Sequence, residues 1–402
     1  MSTAQAAATP VRDPLIVRTT GGARERGRQY GTAARQRILL SLENYERVYA
    51  KFAALDWGAA TALAETFVPA IQEVDESLLD EVRGIAEGAG VSFDDVLALN
   101  LRTEILFSGK ARKIAAAGAS RASAARTPLE CTSFCDLRGS EPVVGQNWDW
   151  IPFSHETVVV LEAAPDAGPR WVSVVEAGLL AKFGMNSAGL TVLTNALVTS
   201  LDVGSPGMPY HLLLRMLLGA GSVAAGEELL RTVTRSSSAN YLLVGRDGKA
   251  GDGEAGDVGA VDLECRPGGP RDVSALRVRR GGLLVHANHF DSGDSAFASA
   301  GTDHGPRVMP DTLFRRARAT ALAELMPVPS VAGWHEVLSD HENYPDALCC
   351  HPNPREHPLE QGSTVASALI EPHRSTLRLT LGHPCTAPRV TYDYEEFFAG
   401  AR

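Results

Sequence analysis

The sequence predicts a layered α+β fold, and three observations support this prediction. Residues up to about 110 show helical periodicity, whereas residues from 131 onward form short β-branched segments that are interrupted by further helices. The sequence contains no internal repeat. Long strand runs between helical pairs are typical of sheets covered by helices, and 402 residues suffice for one large domain or two smaller ones.

The first part of the chain is predicted to be helical. Apolar residues recur at spacings of three and four over residues 24–54 and again over 70–90, which puts them on one face of a helix. A further helix is predicted to begin at Ser92, a suitable N-cap residue, with aspartates in the first turn. We therefore expect helices up to about residue 110.

Residues 113–130 are predicted to form a flexible tether. They consist mainly of Ala, Ser, Gly, Arg and Thr, with Pro128 near the end. Such a composition buries too little apolar surface to offset the entropy lost on ordering. An Ala-rich helix is the alternative, which Gly118 and the serines weaken.

From Cys131 onward the sequence is typical of strands. Short β-branched runs are separated by Gly or polar turns, and the last three runs follow residue 363. Three helices are predicted within this part, at residues 209–221, 223–234 and 310–326. The third is expected to expose its arginines.

Composition excludes several classes of protein. The net charge of −10 disfavours a nucleic-acid partner, because phosphate binding needs clustered Lys and Arg. No run of about 18 apolar residues occurs, so no membrane span is expected. Residues 1–17 lack a basic region followed by a long apolar core, so we expect no secretory signal and a cytoplasmic protein.

The sequence predicts no bound metal and no cofactor. There is no C-x-x-C pair, and Cys349, Cys350 and His351 are interpreted as buried or satisfied side chains, since neighbours in sequence rarely converge on one ion. His286 and His289 are expected on opposite faces of a strand. Residues 251–256 match G-x-G-x-x-G, but their acidic residues and flanking strands indicate a surface loop.

Cys131 differs from the other cysteines because it follows the predicted tether directly. If the Glu130–Cys131 bond is cut, Cys131 carries a thiol and a free α-amine whose pKa lies near 8. One residue then supplies both nucleophile and base. The same thiol could make the cut by attacking the Glu130 carbonyl, with hydrolysis of the resulting ester. The alternative is an intact buried cysteine at the start of a strand.

Motifs throughout the chain support a closer assignment; they include "LNLRTE", "CTSF", "GQNWDW", "VHANHF" and "ENYPDALCC". With them the chain resembles the acyl-CoA:isopenicillin N (6-aminopenicillanic acid) acyltransferase family of self-cleaving N-terminal-nucleophile hydrolases. The resemblance implies a four-layer αββα sandwich. It also implies one structural domain built from residues 1–130, the helical α subunit, and residues 131–402, the catalytic β subunit.

The resemblance implies three catalytic residues. Cys131 matches the family nucleophile, and Asp149 matches the active-site aspartate, which could orient the α-ammonium group of Cys131. Asn288 matches the proposed oxyanion-hole asparagine, whose amide would stabilise developing negative charge. A buried turn residue and a strand-end asparagine are the respective structural alternatives.

Further residues fall in the matched segments with less defined roles. Asn195 and His289 are assigned supporting or pocket roles. Phe183, Met185 and Leu193 are candidates for an acyl pocket, with a core role as the alternative.

Two departures from the family pattern bear on the substrate. The best-known member has Gly before the nucleophile, where this chain has Glu130, and a Ser-Arg pair where this chain has Glu360 and Gln361. The loss of the arginine puts a penicillin substrate in doubt.

The predicted function is an autoproteolytic cysteine amidohydrolase or acyltransferase that forms a thioester acyl-enzyme. Its expected partners are an N-acyl amine or acyl-CoA donor, a water or amine acceptor, and its own cleaved N-terminal chain. The oligomeric state is left open. The alternatives are a catalytically silent scaffold or ligand-binding protein with the same fold, and a papain-type protease, which would need a histidine base.

Overall fold

The computed structural model describes residues 14–107, 130–246, 258–293 and 300–400, together with Gly109 and Phe297. Residues 113–129 of the predicted tether and the predicted loop at 251–256 lie outside the described residues.

Two β-sheets form the centre of the molecule. The eight-stranded sheet has the order β1-β4-β5-β6-β7-β8-β9-β10, and the six-stranded sheet has the order β11-β2-β3-β12-β13-β14. The strands are β1 Leu15–Gly21, β2 Glu130–Asp136, β3 Val143–Trp150, β4 Val158–Pro165, β5 Trp171–Glu176, β6 Phe183–Asn186, β7 Thr191–Ala196, β8 Ala239–Arg246, β9 Val258–Cys265, β10 Val273–Val278, β11 Leu283–His286, β12 Ser363–Glu371, β13 Thr376–Leu381 and β14 Arg389–Asp393.

Helices cover the two sheets. The helices are α1 Ala23–Ala33, α2 Arg35–Val48, α3 Trp57–Glu65, α4 Val68–Ala89, α5 Phe93–Asn100, α6 Tyr210–Leu218, α7 Val223–Thr232, α8 Gly305–Val308, α9 Thr312–Glu324, α10 Val331–Leu338 and α11 Glu395–Ala399. A short π-helix, Tyr49–Ala53, extends α2, and residues 102–107 are also helical. α1, α6 and α7 contact the eight-stranded sheet, α9 and α10 contact the six-stranded sheet, and β2 contacts β7 between the sheets. The predicted four-layer αββα sandwich is therefore confirmed.

The N-terminal part contains one strand that the sequence analysis missed. Leu15–Gly21 forms β1, which pairs in parallel with β4 at the edge of the eight-stranded sheet. Val17 and Thr19 are buried and alternate with exposed Arg18 and Thr20, a period of two that indicates a strand. The expectation of helices alone was wrong here because this run is too short to stand out beside the long helical segments.

The predicted helices of the N-terminal part are confirmed. Ser92 caps α5, and its side chain and that of Asp95 form a reciprocal capping box. α1 and α4 pack unusually closely through glycines: a Cβ on Gly27 would lie 2.1 Å from the Glu81 carbonyl oxygen, and one on Gly84 would lie 2.0 Å from that of Arg24. Only glycine permits this separation.

A buried polar network joins the N-terminal helices to the strands that follow Cys131. We call it the Glu176 network; it consists of Tyr45, Arg102, Trp150, Ser154, Thr157 and Glu176. The Arg102 guanidinium donates to the Glu176 carboxylate and to the Tyr45 hydroxyl. The other carboxylate oxygen accepts hydrogen bonds of 3.0 Å from both Ser154 and Thr157.

The six-stranded sheet separates two apolar cores. Cys131 and Cys135 of β2 lie in the core between the sheets, whereas Phe134 packs outward against Trp334 of α10, with ring centroids 3.4 Å apart. Side chains alternate along a strand, so this pattern fixes the Cys131 side chain on the inner face. Among the described residues, no helix is both long enough and apolar enough to span a membrane.

Candidate active site

The β2–β3 hairpin makes Cys131 and Asp149 diagonal neighbours on adjacent strands. Strand β2 begins at Glu130, one residue earlier than predicted, because Glu130 pairs with Asp149 and Cys131 pairs with Trp148. Cys131 is only 4% exposed. Its thiol shares the inner face with Trp148, and by strand alternation the Asp149 carboxylate lies on the face that α9 and α10 cover.

Three side chains hold the main chain of Cys131. Its amide nitrogen donates to Asn288 Oδ1 over 2.8 Å. Its carbonyl oxygen accepts from Asn195 Nδ2 at 3.1 Å and from Arg315 Nη1 at 2.9 Å. Both sides of the residue are therefore fixed by polar groups that come from β7, α9 and the segment after β11.

Asn288 is oriented as a hydrogen-bond acceptor toward Cys131. Its Oδ1 accepts from Cys131 N and also from Arg315 Nη2 at 2.8 Å, while its Nδ2 donates to the Ala196 carbonyl at 3.0 Å. Two donors on one side and a carbonyl on the other permit only this amide orientation. The oxyanion-hole role stays a prediction; in this geometry Asn288 accepts a hydrogen bond from the backbone amide of Cys131.

Asn195 was predicted to have a supporting or pocket role, and it contacts Cys131 directly. Its Nδ2 donates to Cys131 O, and its Oδ1 accepts from Ser133 Oγ at 2.6 Å and from Asn240 Nδ2 at 3.3 Å. These partners connect β2 of one sheet to β7 and β8 of the other. Asn195 therefore helps to fix the position of Cys131 between the two sheets.

Arg315 is the functional candidate that the sequence analysis missed. It was expected on the exposed face of its helix, but its side chain is 0% exposed, and its Nε donates to Asp311 at 2.6 Å. Thr312, Arg315, Ala319 and Ala323 form the buried face of α9. Their spacing of three and four was the available signal.

This chain has Glu360 and Gln361 where the best-known family member has a Ser-Arg pair, and the position of Arg315 bears on this difference. Glu360 forms an ion pair with Lys51 at 3.0 Å, and the Gln361 amide donates to the Glu356 carbonyl. Neither side chain carries a positive charge. Arg315 instead supplies a guanidinium at Cys131 from a different element.

Asp149 has an altered acidity. Burial raises its pKa to about 7, although the charge of Arg315 and a 2.5 Å hydrogen bond from Thr364 Oγ1 oppose the shift. Its Oδ2 accepts no hydrogen bond from any described residue. A carboxyl group with this pKa and a free oxygen can take up or release a proton near neutral pH.

The thiol of Cys131 is influenced by opposing charges. Burial raises its pKa, Lys182 and Arg315 lower it, and the Asp149 carboxylate raises it. Lys182 is buried, with its Nζ 4.8 Å from the Trp148 ring centroid, and burial lowers its own pKa to about 8. The sequence analysis did not single out Lys182; a lone lysine in an apolar run was the signal.

The predicted pocket residues lie in different surroundings. Phe183, Met185 and Leu193 are buried in the core between the sheets, and Phe183 contacts Trp148 edge to face at 6.5 Å. Phe183 therefore contacts Trp148, the residue of β3 that pairs with Cys131. Their role in an acyl pocket stays a prediction.

His289 belongs to the outer part of the site. Its Nδ1 hydrogen-bonds Thr312 Oγ1, which also accepts from the Asn288 amide nitrogen. The expectation that His286 and His289 lie on opposite strand faces was wrong, because β11 ends at His286 and the two rings stack at 6.4 Å. His286 binds Glu264 instead of sharing a partner with His289.

Comparison with known proteins decides the family. A sequence profile described as acyl-coenzyme A:6-aminopenicillanic acid acyl-transferase matches residues 136–386, more than half of the chain. The protein belongs to this family. The match includes Asp149, Asn195 and Asn288 and begins after Cys131.

A relative of this acyltransferase family shares much of the chain. The 40 kDa form of acyl-coenzyme A:6-aminopenicillanic-acid-acyltransferase from Emericella nidulans is 25% identical over 312 residues, which cover 76% of this chain and 75% of the relative. The profile and this relative both carry the name of an acyltransferase.

Solved structures also resemble the acyltransferase-family chain. Penicillin V acylase from Agrobacterium tumefaciens has a TM-score of 0.40 and 17% identity. The match covers 65% of this chain and 86% of the acylase chain. A conjugated bile acid hydrolase from Clostridium perfringens has a TM-score of 0.38 and 11% identity. The match covers 66% of this chain and 97% of the hydrolase. The fold assignment rests on the two packed sheets of the protein itself.

Proposed function

We propose that the protein is a self-processing N-terminal-cysteine amidohydrolase or acyltransferase that cuts its own Glu130–Cys131 bond. One observation carries the proposal: the amide nitrogen and carbonyl of Cys131 are both held by polar side chains, while its thiol lies near the charge of Lys182. A buried amide and carbonyl need one partner each in any protein, whereas here two side-chain amides and a guanidinium converge on the main chain of this one residue.

Self-cleavage proceeds through an acyl shift. The Cys131 thiol gives up its proton and attacks the Glu130 carbonyl carbon, forming a C–S bond. The C–N bond then breaks, and the Cys131 nitrogen takes a proton to become an amine. Water hydrolyses the thioester, which leaves a Glu130 carboxylate and a free thiol. The buried cation of Lys182 favours the thiolate in the first step.

The freed α-amine would remain in place after the cut. Asn288 Oδ1 already accepts a hydrogen bond from this nitrogen, and Arg315 and Asn195 hold the adjacent carbonyl. The amine would then serve as the general base for the thiol during turnover. Asp149, with its pKa near neutrality, would orient the α-ammonium group and exchange protons with it.

Turnover would follow the same chemistry on an external acyl group. The thiolate takes the acyl group from an N-acyl amine or an acyl-CoA thioester, and water or an amine then removes it. No cofactor takes part; acyl-CoA would enter only as a substrate. Because Glu360 and Gln361 differ from the family pattern, we expect 6-aminopenicillanic acid to be a poor acceptor.

The cleaved N-terminal chain would stay bound as a partner subunit. It contributes β1 to a sheet, and Tyr45 and Arg102 to the Glu176 network. Release of residues 1–130 would expose these groups and the apolar faces of the helices to water. We also propose a cytoplasmic location, where a catalytic thiol stays reduced.

Intact-mass analysis of the freshly purified protein tests the proposal. We expect fragments of about 14 and 29 kDa, the shares of 42.7 kDa that correspond to residues 1–130 and 131–402. Both fragments should elute together on gel filtration. A single full-length mass after prolonged incubation would contradict self-cleavage and would favour a silent scaffold.

A donor panel tests the substrate class. Acyl-CoA thioesters and N-acyl amines are each supplied with and without amine acceptors, and released thiol and amine are measured. We expect hydrolysis of small donors. Penicillin formation from 6-aminopenicillanic acid that is faster than hydrolysis of the same donor would contradict the substrate proposal and leave the Cys131 chemistry intact.

A further inference from the structure

Four metal-ligating side chains other than the proposed catalytic residues meet next to the start of β12. His341, Cys349 and His351 come from the segment that follows α10, and Cys385 comes from the segment between β13 and β14. The ligand atoms all lie within 4.8 Å of one another. No described residue of the proposed catalytic set belongs to this group.

Four of the six distances between these ligand atoms are close to the edges of a tetrahedral zinc site. The two sulfur atoms are 3.6 Å apart, and the two imidazole Nε2 atoms are 3.1 Å apart. His351 Nε2 lies 3.4 Å from Cys349 Sγ and 3.5 Å from Cys385 Sγ. Zn–S bonds of about 2.3 Å and Zn–N bonds of about 2.0–2.1 Å in a tetrahedral site give edges of about 3.8 Å for S–S, 3.3 Å for N–N and 3.6 Å for S–N.

We propose that His341, Cys349, His351 and Cys385 form a structural Zn²⁺ site. Two thiolates and two imidazoles at tetrahedral separations are the ligand set that zinc prefers. Four protein ligands leave no open position, so the ion would hold the fold together and would not act in the reaction. The site departs from the expectation that the chain binds no metal.

Local structure explains why the cysteine and histidine of "CCH" can share an ion. His351 Nε2 lies 3.4 Å from Cys349 Sγ, whereas the buried Cys350 lies outside the ligand group. The Cys350 amide nitrogen donates to Thr364 Oγ1, and its carbonyl accepts from Thr364 N, both at 2.9 Å. Thr364 thus anchors the middle residue to β12.

Other contacts preorganise the ligands. Asn147 of β3 donates to the carbonyls of Leu338 and Leu348 at 2.9 and 2.7 Å, which fixes both ends of the segment that carries His341. The His351 ring stacks on His383 at 4.0 Å. His383 itself is engaged with Ser363 Oγ, so its Nε2 is not needed as a ligand.

The binding reaction is balanced without a further reactant. Zn²⁺ replaces the two thiol protons of Cys349 and Cys385, and the two neutral imidazoles donate lone pairs. Two protons leave and the bound site is neutral. His341 is exposed and Cys385 is partly exposed, so the ion can enter from solvent.

The site lies close to the catalytic aspartate through one bridge. Thr364 accepts from Cys350 N and donates to Asp149 Oδ1. A metal bound to Cys349 and His351 would therefore steady the segment that positions the Asp149 carboxylate. The ion would be a positioning element for Asp149 rather than a participant in acyl transfer.

Metal analysis of the full-length protein tests the proposal. The protein is purified without a polyhistidine tag under reducing conditions, and its metals are measured by mass spectrometry. We expect about one zinc ion per chain, or stoichiometric uptake when zinc is supplied. Cobalt substitution should produce the thiolate-to-cobalt absorption of a tetrahedral site.

Matched variants locate the ion. Cys385→Ser and His341→Ala should each reduce bound zinc at least about tenfold, because each removes one of four ligands. Cys265→Ser, which alters a buried thiol outside the cluster, and His335→Ala, which alters a histidine of α10, should leave it unchanged. Since Cys385 and His341 are not core residues, circular dichroism should confirm that these variants fold.

Three results would overturn the proposal. The first is a folded wild-type protein that takes up neither zinc nor cobalt. The second is a Cys349–Cys385 disulfide that forms in protein purified without reductant and persists after a reductant and zinc are added. The third is wild-type zinc content in both ligand variants.

Discussion

The Glu176 network and the Cys131 site contain similar residues in similar surroundings, yet they are built for different purposes. Each has a buried arginine, a buried carboxylate and hydroxyl donors. In the Glu176 network, both carboxylate oxygens accept hydrogen bonds, and Arg102 donates to a carboxylate, a phenol and an imidazole. In the Cys131 site, the two terminal nitrogens of Arg315 donate to the Cys131 carbonyl and to Asn288 Oδ1, which also binds the Cys131 amide.

The difference shows how buried polar groups can serve stability or chemistry. A fully hydrogen-bonded buried ion pair is costly to break but has no reason to react. A buried carboxyl with one unpaired oxygen, such as Asp149, keeps a raised pKa and the ability to exchange a proton. The first region joins the N-terminal helices to the strands that follow Cys131, and the second surrounds the bond at which we propose self-cleavage.

The largest expected effect is the loss of all chemistry in Cys131→Ala. Turnover should fall at least about a thousandfold, because removal of a nucleophile eliminates the covalent route. Self-cleavage should stop, while thermal stability should change little because only one sulfur atom is removed. The same substitution at Cys135, on the same face of β2, should retain both reactions. Wild-type turnover in Cys131→Ala would exclude the nucleophile assignment.

Arg102→Met should damage stability rather than chemistry. The variant leaves the buried Glu176 carboxylate without its cation, which costs about 3–5 kcal/mol of the free energy of unfolding. Chemical denaturation of the unprocessed protein measures the loss. Arg28→Met removes the exposed partner of an exposed carboxylate, Glu25, and should change the free energy of unfolding far less. Equal effects of the two substitutions would show that the Glu176 network does not anchor the N-terminal helices.

Arg315→Lys should impair self-cleavage more than stability, the reverse of the effect expected for Arg102→Met. Lysine keeps the positive charge beside Asp311 but cannot reach Cys131 O and Asn288 Oδ1 together. We expect self-cleavage to slow about a hundredfold through misplacement of Cys131. Stability should change less than in Arg102→Met. The control is Arg318→Lys on the same helix, which pairs with Asp340 near the surface. A normal cleavage rate in Arg315→Lys would assign Arg315 to stability alone.

The smallest expected effect is a change in how stability depends on pH. Burial raises the pKa of folded Asp149 from 3.8 to about 7, despite the nearby cation of Arg315 and with added repulsion from Asp311. Between these values the folded state binds a proton that the unfolded state lacks, so the free energy of unfolding falls as pH rises. When Asp149→Asn is introduced into the Cys131→Ala variant, the free energy of unfolding should fall less steeply with pH, by up to about 1.4 kcal/mol per pH unit. Identical slopes with and without the Asn substitution would contradict the raised pKa.

Local patterns predicted those features that depend on neighbours in sequence. The helical face of residues 70–90 and the Ser92 cap follow from spacing within one element. The meeting of Cys131 and Asp149 was also predictable, because one short hairpin connects their strands. The strand β1 was missed because its partner β4 lies far along the chain, and an isolated seven-residue strand has little local signal.

The sequence by itself determined the element types, the boundary at which a nucleophile could arise and the resemblance that the family match confirms. Only the tertiary structure decided what surrounds that nucleophile. Arg315 contacts Cys131 across 184 residues of chain, and Cys385 reaches Cys349 across 36. Such meetings depend on how helices and strands pack in three dimensions, and many placements of α9 or of the β13–β14 turn are compatible with the same periodicity. Local spacing shows which face of an element is buried, whereas the packing of the layers determines what that face meets.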